Sequence, residues 1–175
     1  MYGKVTLPGK PILKPTPIAI ADSMVCYAGA LEVLLMASDQ KAIIQHAGND
    51  FFIGITPSGH ALTVDTNHDR ASAPTPMELL LIALGSCTAV DVIGILQKKR
   101  EQVTNYKVEV RGERREDHPR SYKRMEVRHI VTGKNVSAKA VAQAIELSES
   151  KYCSVAATLR PGTEIVSSYE IIEEQ

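Results

Sequence analysis

A chain of 175 residues carrying twenty Lys plus Arg against twenty Asp plus Glu has the size of one domain, and can bury a core without disulfides or a structural metal. Its charge balance excludes bulk attraction to nucleic acid or to an anionic membrane as the basis of function. The three cysteines, Cys26, Cys87 and Cys153, are odd in number and sparse, which excludes the disulfide framework of a small secreted protein and favours a reducing, cytoplasmic setting.

Residues 1–40 read as an N-terminal extension of unassigned role, and 41–175 as the domain proper. Pro8, Pro11, Pro15 and Pro17 suit an extended arm, and Met24 to Ala37 fits a short helix or a strand. Lys4, Lys10 and Lys14 ahead of that apolar run imitate a signal peptide, but Asp22 and Glu32 interrupt it. KAIIQHA, DFFIGI and HALTVDT follow as a meander of antiparallel strands, with a turn at Pro57-Ser58-Gly59.

From Leu79 to Leu96 the chain is apolar almost without relief. Its start is clearly punctuated: Thr75 fits the N-cap, Pro76 the first helical position and Glu78 the acid of a capping box. Lys98, Lys99 and Arg100 close the helix with positive charge where its dipole favours it. About 18 apolar residues reach the lower limit for a membrane span. Asp91 near the middle, and the lack of a companion helix of this character, favour instead a helix buried on all sides in a soluble protein.

Tyr106, Val108 and Val110 then alternate with charged residues, as do Met125, Val127, His129 and Val131 in KRMEVRHIVTG, giving two half-buried strands joined by the charged loop GERREDHPR. NVSAKAVAQAIELSES is a helix with Ser137 as N-cap and Val136 stapled to Val141. Ser148 or Ser150 offers a fresh N-cap for a short helix through KYCSVAATL, ended by Pro161-Gly162, and TEIVSSYEII is a last strand. The order is that of an α+β fold around a dominant helix. A wholly apolar helix needs cover on every face, more than about six short strands of one chain supply, so a second subunit is expected.

Cys87 and Asp91 lie four residues apart and share one helix face, with Thr88 beside them. A free cysteine in an apolar helix is also an ordinary core residue. With Ser150 as cap, Cys153 falls in the first turn of its helix, where free N–H groups and the dipole stabilise a thiolate. The two thiols could form a redox pair, although their separation along the chain leaves proximity open. His46, His60, His68, His118 and His129 are scattered and there is no Cys-x-x-Cys, which speaks against a zinc site. His129, on the apolar face of its strand, reads as a satisfied core histidine. Arg70, in the polar loop before the helix, could lower a thiolate pKa or orient a peroxide oxygen.

PTPMELLLIALGSCTAVDVIGILQKKR and, after two strands and a helix, SESKYCSVAATL together resemble the OsmC/Ohr family, and most of all its YhfA-type branch, over about Phe51 to Ile171. The resemblance implies an OsmC-like fold, two antiparallel sheets wrapped around long central helices in an intertwined homodimer, with the active site at the subunit boundary. It also implies reduction of organic hydroperoxides by thiols, without metal, haem, flavin or other cofactor, and without nucleic acid or membrane as partner. Cys87 corresponds to the peroxide-attacking cysteine and Cys153 to the resolving one. The implied cycle passes through a Cys87 sulfenate and a Cys87–Cys153 disulfide, which a dithiol, or in the Ohr branch a lipoylated protein, reduces.

One position departs from the family pattern. The family glutamate stands ten residues before the attacking cysteine, where this chain has Met77, and the acid comes one step later at Glu78. At about 100° per residue the shift turns the carboxylate to roughly the opposite face. Glu78 therefore reads first as the capping partner of Thr75. Only second does it join Arg70, the nearest counterpart of the family arginine, and Asp91 as a supporting catalytic group. Two other functions share the same residues: a non-catalytic binding protein for a hydrophobic ligand at the dimer interface, and a cysteine redox sensor.

Overall fold

The computed structural model describes residues 40–174; the expectations for the proline-rich arm, for Met24 to Ala37 and for Cys26 lie outside them. The expected meander is present as β1 (Ile43–Gly48), β2 (Phe51–Ile55) and β3 (Ala61–Asp65), antiparallel in the order β1-β2-β3. The β2–β3 turn closes through Thr56 N–H to the His60 carbonyl at 2.8 Å, with Gly59 at φ +84°, a conformation that glycine adopts without strain.

The apolar run forms α1 (Pro76–Lys98). Its capping box is complete: Thr75 N–H donates to Glu78 Oε2 at 2.7 Å, and Glu78 N–H donates to Thr75 Oγ1 at 3.3 Å. After it, β4 (Gln102–Arg114) and β5 (Tyr122–Lys134) pair antiparallel. The strand β4 runs through Gly112, Glu113 and Arg114, residues the sequence placed in the loop. Then come α2 (Ala138–Leu147), capped by Ser137 as expected, a single π-helical turn (Ser148–Tyr152), α3 (Ser154–Leu159) and β6 (Glu164–Glu173).

Here one expectation is corrected. The second sheet, ordered β4-β5-β6, is mixed, because β6 runs parallel to β5. The physical reason is the connection: the segment carrying α2, the π turn and α3 forms the long crossover that parallel neighbours require.

The helix α1 lies on this mixed sheet. Towards its C-terminus Val92 and Leu96 pack with Val131, Val136, Val141 and Ala144; towards its N-terminus Leu84 packs with Tyr122, Met125, Val127, Cys153 and Ala156. Gly85 permits the close approach, since a Cβ there would lie 3.0 Å from Val110 Cγ2. The other face is left open, as expected of a helix that one chain cannot wrap. Within the chain α1 is not buried on all sides: Ile82 is 58% exposed and Val90 71%. The β1-β2-β3 sheet likewise leaves Ile43, Ile44, Ile53 and Leu62 exposed. By length and composition α1 would suffice to cross a membrane, but its Leu84, Thr88, Val92 and Leu96 are buried in the fold.

Candidate active site

The core brings together three side chains from two distant segments. Cys87 and Asp91 stand one turn apart on α1, and Cys153 sits at the N-terminus of α3, packed in the apolar cluster that Cys87 also touches. Both sulfurs and a carboxylate oxygen of Asp91 lie within 4.8 Å of one another. Both cysteines are unoxidised, Cys87 half-buried and Cys153 buried.

The setting of Cys153 differs from the sequence reading. Neither Ser148 nor Ser150 caps α3; Cys153 is itself the N-cap, its Sγ accepting from Ala156 N–H at 3.4 Å. The π turn before it, closed by Cys153 N–H to the Ser148 carbonyl at 2.8 Å, makes this possible: one wide turn re-aims the chain at the end of α2. Nor is a thiolate favoured here. Burial pushes the Cys153 thiol up to about 11, helped by its contact with Cys87 and by the Asp91 charge, and the Ala156 N–H only partly offsets this.

Ser148, at the end of α2, belongs to the site. Fully buried, it donates to Asp91 Oδ2 at 2.9 Å, and its hydroxyl lies 3.1 Å from Thr88 Oγ1. Thr88 and Asp91 are thereby tied across to the segment that carries Cys153. No local pattern marks Ser148 for this role, because its partners are 57 and 60 residues away in the chain. The sole available signal is a small polar residue continuing the buried stripe of α2.

Arg70 and Glu78 are committed to other bonds. Arg70 donates from Nε to Asp65 Oδ2 at 3.0 Å and from Nη2 to Asp65 Oδ1 at 2.8 Å and the Asn49 carbonyl at 2.6 Å. Its guanidinium also covers the Phe51 ring at 3.7 Å. Buried Asp65 further accepts from the N–H groups of Asn67 and Ser72, and is held well below the usual carboxylate range, chiefly by Arg70. Arg70 thus ties the β1–β2 turn to the loop leading into α1. Glu78 is held in the capping box, whose Thr75 bonds lower its pKa. Among the described residues, neither side chain hydrogen-bonds to the cysteine pair.

His129 is buried as expected but half satisfied: Nδ1 meets Tyr106 Oη at 2.6 Å, while Nε2 has no partner. Burial lowers its pKa to about 4, so the ring is neutral. On a different face of α1 from Cys87, between α1 and β4, Leu81, Ile82, Gly85, Ser86, Ala89, Val108 and Val110 line an open cleft of about 390 Å³.

The segment that carries both sulfurs, and the fold that holds it, resemble known proteins. Residues 67–168, which include both sulfurs, match the family model described as OsmC-like protein. The chain belongs to the OsmC-like family. Protein YhfA of Escherichia coli K12 is 44% identical to it over 121 residues, covering 69% of this chain and 90% of that protein. The OsmC-like fold recurs in the crystal structure of a hypothetical protein from Aquifex aeolicus VF5, at 36% identity and a TM-score of 0.70, over 78% of this chain and 98% of that one. The organic hydroperoxide resistance protein OhrB of Bacillus subtilis is 11% identical with a TM-score of 0.54, over 75% and 98% of the two chains. At that identity the OsmC-like fold alone is shared.

Proposed function

We propose that the protein is a thiol-dependent peroxidase for organic hydroperoxides, in the cytoplasm, working as a homodimer. The observation that carries this reading is the placement of the Cys87 and Cys153 sulfurs within 4.8 Å in a cluster of apolar side chains, although 66 positions separate them. Two lone thiols so arranged need little motion to form a disulfide.

Accessibility orders their roles. Cys87 is half-buried and reachable; Cys153 is buried with a raised pKa, a setting that disfavours it as first nucleophile. The Cys87 thiolate attacks the terminal oxygen of the hydroperoxide, the O–O bond breaks, and the alkoxide leaves as the alcohol on taking a proton. The Cys87 sulfenic acid is then attacked by Cys153, which loses its proton, and water leaves as the disulfide forms. A dithiol or a lipoylated protein supplies the two electrons that reset the pair. The apolar side chains packed around Cys87 and Cys153 suit an organic peroxide better than hydrogen peroxide.

The test is single-turnover oxidation of the reduced protein by cumene hydroperoxide. One disulfide per chain should form between Cys87 and Cys153, Cys87→Ser should abolish peroxide consumption, and Cys153→Ser should leave a sulfenate trapped at Cys87. Thiols indifferent to the peroxide would sink the proposal. The cleft between α1 and β4 supports a second reading, a binding protein for a hydrophobic ligand in which the cysteines take no part in chemistry. A single oxidation without turnover in excess dithiol would instead identify a redox sensor.

A further inference from the structure

The peroxidase steps use two sulfurs and leave Asp91 unexplained. Its charge adds to the burial that raises the Cys153 pKa, so it does not serve to activate that thiol. Yet it is not a loose surface group: Ser148, itself fully buried, donates to its Oδ2 at 2.9 Å and is in turn held by Thr88. Such an arrangement becomes favourable once a dication sits among the three.

We propose that the reduced protein binds one thiophilic divalent cation, Zn²⁺, through Cys87 Sγ, Cys153 Sγ and the Asp91 carboxylate, and that this cation and the peroxide exclude one another. The donor set is of the right kind: thiolate and carboxylate are both zinc ligands, and a site of three protein ligands with an open fourth position is a common form. The size is close. Tetrahedral zinc with sulfur at about 2.3 Å and oxygen at about 2.0–2.2 Å sets donor separations of roughly 3.4–3.8 Å. The donors here lie within 4.8 Å, so inward movement of about 1 Å closes the site, well within side-chain rotation.

The surrounding bonds are those a metal site requires. The Ser148 hydroxyl orients the carboxylate from one oxygen and leaves the other free to bind, while Ala156 N–H supports Cys153 Sγ at 3.4 Å. Local spacing conceals the site, because its ligands are an i, i+4 pair and a cysteine from a separate helix. Loading is balanced by release of the two thiol protons to solvent. Peroxide oxidation of the loaded site takes two electrons from the sulfurs and two protons from solvent, giving disulfide, alcohol, water and free Zn²⁺, since a disulfide no longer offers thiolate ligands.

The metal half of this proposal stands apart from the peroxidase reading, and the exclusion half rests on it; separate measurements keep the two distinct. Reduced, chelator-stripped full-length protein is titrated anaerobically with Co²⁺ and then Zn²⁺. One Co²⁺ per chain should bind with a thiolate charge-transfer band, displaced by Zn²⁺, and Cys26→Ser should leave it unchanged. Cys87→Ser and Cys153→Ser should each abolish the band. Ser148→Ala should weaken binding about 10-fold, and Asp91→Asn, a lost ligand, by at least as much. Circular dichroism checks that each variant is folded. A band that follows Cys26, unchanged affinity in Asp91→Asn, or no binding at all overturns the site. Zinc-loaded protein should lose thiols to cumene hydroperoxide at least about 10-fold more slowly than metal-free protein; equal, measurable rates overturn the exclusion. Failure of both forms to react counts against the peroxidase reading, and the cobalt titration still decides the site.

Discussion

Ser148 is worth more to this fold than its size suggests. Its hydroxyl is shared between Thr88 and the Asp91 carboxylate, so Ser148→Ala strips a buried threonine hydroxyl and one carboxylate oxygen of their partner. We expect a loss of about 1–3 kcal/mol, read from urea denaturation. A second buried group gives a pH signature. His129 titrates near 4 in the folded chain against 6.5 when unperturbed, through burial. Between those values the unfolded chain takes up the proton and the folded chain does not. Stability is therefore complete above about pH 6.5 and falls as pH drops towards 4, by up to about 3 kcal/mol. His129→Gln should flatten that part of the stability-against-pH curve; an unchanged slope would show that other groups set it. At this scale the helix period suffices to place Cys87 and Asp91 on one face, and the resemblance supplies Cys153 as their counterpart. Ser148 and the Asp65–Arg70 clamp were not legible: the first acts across some 60 residues of chain, and Arg70 shows only a polar loop until the β1–β2 turn is folded beneath it.

Among the elements, α1 declares itself locally, and its cap can be tested alone. Thr75→Ala removes the acceptor for Glu78 N–H and the reciprocal bonds to the Glu78 carboxylate, and should cost about 1 kcal/mol with little effect on peroxide chemistry; a fall in melting temperature at unchanged thiol reactivity is the expected pair of results. The β4–β5 pairing has a comparable weak point at Gly133, which faces Val103 across the ladder. A Cβ there would collide with the backbone carbonyl of Gln102, which has no side-chain rotation by which to yield. Gly133→Ala should cost roughly 2 kcal/mol or more, measured by chemical denaturation. Strand alternation, turn residues and caps all lie within a few positions of one another, which is why these elements were readable from sequence. The direction of β6 and the π turn were not. Direction depends on where a long crossover delivers the chain, and the π turn begins at Ser148, whose partners Thr88 and Asp91 are far away in the sequence.

Taken together, the described residues carry more apolar surface than they cover. Ile82 and Val90 stand on the outer face of α1, 58% and 71% exposed, and Ile43 and Ile44 on β1, 49% and 65%. Exposed apolar surface gathered on one helix and one sheet marks an interaction site rather than ordinary scatter. A second copy of the chain, placing its own apolar helix and sheet against these, satisfies both at once in a closed two-fold arrangement. The expected mass in sedimentation equilibrium is thus twice the 19.1 kDa of one chain. Ile82→Lys together with Val90→Lys, at positions already open to water within one chain, should yield monomer, lower the melting temperature, and slow peroxide consumption if the active site lies at the subunit boundary. Wild-type protein that sediments as a monomer at all concentrations would end the homodimer reading. Monomeric double variant with undiminished peroxide consumption would show instead that the thiol pair of one chain is sufficient.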